Sequence, residues 1–77
     1  MLYLYFETLN MTTREPDQKF FRLAEDGSIA ACLGFQAGGW QPTNANTFKL
    51  FKDNGLLVEV TEDRIRQVRK ENNLHYA

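Results

Sequence analysis

The sequence predicts an α+β domain: a small antiparallel sheet of three to four strands with one or two helices packed on one face. Three observations point to that class. Leu2 to Leu9 alternates large side chains with period two, Glu25-Asp26-Gly27 separates two apolar runs as a hairpin turn does, and Thr61-Glu62-Asp63 opens a segment with a helix-start pattern. The 77 residues are read as a single domain, 1–77. By surface-to-volume scaling, a chain this short buries only roughly 60–65% of the surface its unfolded form exposes, so a partner or a second copy would add to a narrow margin of stability.

Within the first segment Leu2, Leu4 and Phe6 share one face, and Tyr3 and Tyr5 share the other. Such a strand is either covered on both sides or presents its tyrosine pair to something else. Asn10 to Gln18 is polar and contains Pro16, which has no donor for a sheet ladder, and it reads as a loop. Lys19 to Ala24 and Ser28 to Gln36 then flank Glu25-Asp26-Gly27, where Asp-Gly supplies the positive φ angles of a tight hairpin. On the second strand of that hairpin Ile29, Ala31, Leu33 and Phe35 share one face. The other face, Ala30, Cys32, Gly34 and Gln36, is small enough for close approach by a helix or another chain.

Ala37 to Pro42 reads as a turn, because Pro42 disfavours helical geometry at Gln41. Thr43 to Asn54 fits two descriptions. As a helix it spaces Phe48 and Phe51 three apart and ends on Gly55 as a left-handed cap, with Leu56 as the following apolar contact; as a strand it turns at Asn54-Gly55. The helix is favoured. Leu56 to Val60 is a strand, and Thr61 caps a helix from Glu62 to about Asn73, with Glu62 and Asp63 at the positive end of its dipole. Arg64 stands where a capping box would have Glu or Gln. This succession of hairpin, Trp and Pro turn, and capped helix is generic for small bacterial or phage proteins and brings no function with it. Met11 offers an alternative start, which would make residues 1–10 dispensable and the first strand peripheral.

Composition narrows the function classes. A single Cys32 excludes an internal disulfide, and with only His75 beside it there is no Cys/His set for zinc; neither metal nor cofactor is expected. A reducing, cytoplasmic location fits a lone thiol. No apolar run approaches the roughly 20 residues of a membrane span, and Met1 to Phe6 lacks the basic flank of a signal peptide, so no membrane partner is expected. The net charge of −1 argues against a strongly basic nucleic-acid binder and against an acidic mimic of nucleic acid. Catalysis has no evident set of residues either. Cys32 lies mid-strand among small and apolar neighbours, His75 lies close to the chain end, and the carboxylates Glu25, Asp26, Asp53, Glu62 and Asp63 have turn or capping roles.

Two surfaces remain as candidates. Six Phe, three Tyr and one Trp exceed what one small core needs, and Tyr and Trp concentrate at interface centres because they bury large area around a polar handle. Tyr3, Tyr5, Phe20 and Trp40 are therefore the expected protein-interface residues, for a partner protein or for self-association as a homodimer. The leading expectation is a non-enzymatic interaction module of accessory or inhibitor type. The alternative is nucleic-acid binding through Arg64, Arg66, Arg69 and Lys70 on the last helix, where cations could neutralise phosphates. Ala37-Gly38-Gly39-Trp40 lacks the helix start and Lys of a phosphate loop and reads as a plain turn.

Overall fold

The computed structural model describes residues 2–76. In chain order the elements are β1 (Tyr3–Leu9), β2 (Pro16–Ala24), β3 (Ile29–Leu33), β4 (Gln41–Pro42), α1 (Ala45–Asp53), β5 (Leu57–Val60) and α2 (Glu62–Glu71). The strands form one antiparallel sheet in the order β4-β3-β2-β1-β5. The α+β class is the expected one, with five strands instead of three or four. The additional strand is β4, whose two residues pair with Ala30 and Ala31. Pro42 is tolerated there because β4 is an edge, where a missing donor costs no ladder bond.

Adjacent Phe20 and Phe21 point to opposite sides of the sheet, and each is covered by its own helix. Phe21 shares a face with Phe6, its cross-strand partner, and α1 lays Phe48 and Phe51 on that pair with ring centroids 5.4–5.6 Å apart. On the other face Phe20 packs with Ile65 and Val68 of α2, surrounded by Tyr5, Trp40, Val60 and Tyr76. The helices thus divide between the two faces, where the sequence placed them on one. The physical reason is that β1 and β2 are apolar on both sides, so a single covering layer would leave half of their large side chains in water.

Local chemistry sets the ends of the elements. Asn44 caps α1, its Oδ1 accepting from the Asn46 N–H at 2.6 Å. The helix stops at Gly55 (φ 66°), whose N–H donates to Lys52 O while the Leu56 N–H donates to Phe51 O, so the last carbonyls are satisfied as expected. Asn73 (φ 60°) closes α2 in the same way, its N–H on Lys70 O and that of Leu74 on Arg69 O. Thr61 has the extended backbone of a cap, yet its hydroxyl makes no capping bond. In the β2–β3 hairpin only Gly27 adopts positive φ (88°), with Asp26 accepting from the Ser28 N–H and hydroxyl. Pro16 to Gln18, expected as loop, begins β2: Pro16 pairs with Leu9, and a left-handed Gln18 (φ 59°) marks the irregularity that follows.

β1 lies between β2 and β5, so it is the strand through which β5 joins the sheet. A product starting at Met11 would lack that join. None of the described helices is long and apolar enough to cross a membrane.

The small face of β3 receives α2. A Cβ on Gly34 would lie 2.6 Å from Val68 Cγ1, 3.0 Å from Phe20 Cε2 and 3.0 Å from Gln18 O. Gly34→Ala is therefore expected to lower stability by about 2 kcal/mol through overpacking, read as a shift in the urea midpoint with unchanged slope. A midpoint equal to that of the parent would show that α2 does not approach so closely.

Candidate interaction surface

On the α2 side of the sheet, β1 contributes Tyr3, Tyr5 and Glu7, directly opposite Ala24, Arg22 and Phe20 of β2. α2 covers the Glu7 and Phe20 end and leaves the Tyr3 end open. Trp40 enters from the segment leading into β4. Its indole lies 5.9 Å from the Tyr5 ring, which lies 6.1 Å from the Tyr3 ring. The guanidinium of Arg22 sits between Tyr3 and Trp40, 4.3 Å and 4.8 Å from the two ring centroids. A groove of about 320 Å³ runs past Tyr3, Arg22 and Trp40 toward Ala30 and Pro42, with Asp26 at its hairpin end.

Three of the four interface residues read from the sequence, Tyr3, Tyr5 and Trp40, therefore meet in one cluster. Phe20 does not join them: at 1% exposure it is the centre of the core beneath α2. Its strand parity, shared with Arg22 two positions later, turns it inward because the helix lies over that end of the sheet. Arg22 is the member the sequence reading missed. Its only signal was a cation on the same face as Phe20, and the rings that hold it come from separate parts of the chain.

Tyr5 anchors the cluster to α2. Its hydroxyl donates to Glu62 Oε2 at 2.9 Å, Tyr76 donates to the same oxygen at 3.1 Å, and Arg66 donates to Oε1 at 3.2 Å. Burial, aided by the neighbouring carboxylate, pushes the Tyr5 hydroxyl up to about 12. The hydrogen bond from Tyr5 in turn holds the Glu62 carboxyl below its usual range.

The four cations of α2 do not form one basic face. Arg64 reaches across to the buried Glu7, Nε to Oε1 at 2.9 Å and Nη2 to Oε2 at 3.2 Å. Arg66 bridges Glu62 and Asp63 on its own helix. Arg69 is 3% exposed and turns inward, donating to the carbonyls of Leu33 (2.7 Å), Gln36 (3.1 Å), Gly38 (2.7 Å) and His75 (3.1 Å). Lys70 is exposed and has no salt-bridge partner among the described residues.

A second concavity, about 390 Å³, lies under the C-terminal segment and brings Cys32, Arg69 and His75 into one lining. Burial raises the Cys32 thiol above its ordinary value despite Arg69 Nη1 at 3.5 Å. The hydrogen bonds found for His75 there involve its backbone carbonyl, not its imidazole. Buried and packed beside Arg69, Cys32 fills space between β3 and α2.

Two expectations follow. Glu62 titrates lower in the folded than in the unfolded chain, so its contribution is present above the ordinary 4.5 and is lost as pH falls through the lowered value. Tyr5 titrates higher, so its contribution is present below 10.0 and is lost as pH rises through about 12. Melting temperature against pH should show a plateau between these limits, and Glu62→Gln should shallow the acid limb; an unchanged limb would remove Glu62 from the account. Arg69→Ala is expected to cost about 3 kcal/mol by stranding several carbonyls, with Arg69→Lys intermediate because an ammonium cannot reproduce the planar fork. A loss below about 0.5 kcal/mol in urea unfolding would contradict this. Comparison with protein-family models, with characterised proteins and with solved structures finds no match to this chain.

Proposed function

We propose that the protein is a non-enzymatic interaction module, of accessory or inhibitor type, whose binding surface is the Tyr3–Arg22–Trp40 cluster. The observation that supports this reading is the Arg22 guanidinium held between two aromatic rings. The guanidinium carbon lies over both rings, and among the described residues its N–H donors have no hydrogen-bonded or ion-pair partner, so they are available to a ligand. A planar cation fixed in this way is pre-organised to receive a carboxylate in two parallel bonds. Trp, Tyr and Arg are also the residue types that dominate binding energy at protein interfaces. The partner is accordingly a protein that offers an acidic side chain next to apolar surface. A cytoplasmic setting belongs to this reading, since the buried Cys32 is a free thiol and such thiols persist in reducing compartments.

Affinity capture from the native host, with the protein and its Arg22→Ala variant as paired baits, tests the reading. The partner retained by the parent is expected to bind the variant at least ~30-fold more weakly, the effect of about 2 kcal/mol at a hot spot, while the melting temperature changes little. Equal retention by both baits would overturn it.

A further inference from the structure

β5 has one paired side and one open side. The Leu9 N–H donates to Leu56 O at 2.8 Å, and the β1–β5 register continues through Thr8–Leu57, Glu7–Val58, Phe6–Glu59 and Tyr5–Val60. Antiparallel ladders alternate, so Val58 and Val60 turn their backbone groups toward β1, while Leu57 and Glu59 turn theirs outward. The opposite edge of the sheet, β4, is protected by being two residues long and by Pro42. β5 has neither Pro nor Lys, and its central Val58 is 42% exposed.

We propose that β5 pairs with β5 of a second copy, antiparallel about a two-fold axis through Val58, so that one sheet runs through both copies. In this register Leu57 faces Glu59 of the second copy, and every outward N–H and C=O of these residues finds a partner. Val58 meets Val58 in the narrow, non-hydrogen-bonded position. Sliding the strands to centre on Glu59 would instead place like charges directly opposite, which disfavours that register.

Charge also selects a second copy. At the start of β5, Arg14 lies against Asn54 O (3.4 Å) beside Gly55 and has no carboxylate partner among the described residues; Lys52 and Asp53 are nearby in sequence. At the other end stand Glu59, Glu62 and Asp63, the last two already bridged by Arg66. Antiparallel reversal brings each Glu59 toward the Arg14 end of the other copy. A two-fold axis makes both contacts at once, as an isologous interface requires.

This interface uses none of the aromatic cluster, so it stands or falls separately from the proposed binding function. Light scattering on a size-exclusion column at tens to hundreds of micromolar should give a mass near twice 8.9 kDa. Val58→Lys, a change at a half-exposed position, should raise the dissociation constant at least ~10-fold by facing two ammonium groups across the axis. Val58→Cys should form a reducible covalent dimer with oxidised glutathione, because Cα atoms about 4.5 Å apart in a narrow pair suit a disulfide; the parent, whose only thiol is 3% exposed, should not. Hydrogen exchange provides a readout that needs no variant: the Leu57 and Glu59 amides should slow with rising protein concentration, and those of Val58 and Val60 should be protected throughout. A strictly monomeric parent overturns the proposal. So does a dimer that Val58→Lys leaves intact and Val58→Cys fails to cross-link.

Discussion

A buried guanidinium with no carboxylate partner among the described residues organises one side of this protein. Arg69 projects from α2 and spends its donors on main-chain carbonyls from the end of β3, from the segment leading to β4 and from the C-terminal residues. Removing such a charge from water costs several kcal/mol unless its donors are all met, and a planar fork meets several fixed carbonyls better than an ammonium would. Segments with no regular structure of their own are thereby held at one place. Trp40 lies two residues beyond Gly38, so the position of the indole in the aromatic cluster depends on a bond made by α2.

That bond requires α2 to come close, and the α2 face of the sheet is built to admit it. Gly34 leaves room for Val68, and Phe20, Ile65 and Val68 fill the space between. Two polar links then fix the helix in register over β1. Glu7, 1% exposed, takes Arg64 from the helix and the N–H of Gln18, which the left-handed conformation of that residue turns toward it. Glu62 gathers the hydroxyls of Tyr5 and Tyr76. Apolar contact alone would allow a helix to slide along a sheet; these directional bonds do not.

What the helices leave uncovered follows from the same geometry. α2 crosses the Glu7 and Phe20 end of its face, so Tyr3, Arg22 and Trp40 remain at the other end as an aromatic surface around one cation. α1 covers Phe6 and Phe21 on the opposite face. Neither helix extends the ladder at β5, whose outward backbone groups remain available. A small domain that must cover a sheet with two short helices is left with both an exposed face and an exposed edge.

The amino-acid order determined the local features: the hairpin at Gly27, the helix ended by Gly55 and the small face of β3. These depend on alternation, on positive φ and on caps, which act over a few residues and can be read directly. The tertiary structure alone decided which side chains meet. Phe20 entered the core because α2 lies over it, Arg22 found its rings at Tyr3 and Trp40, and Arg69 left the expected basic face for carbonyls more than thirty positions away in sequence. Strand parity assigns a side chain to a face, but whether that part of the face is covered depends on where a distant helix crosses it, and no local spacing encodes that.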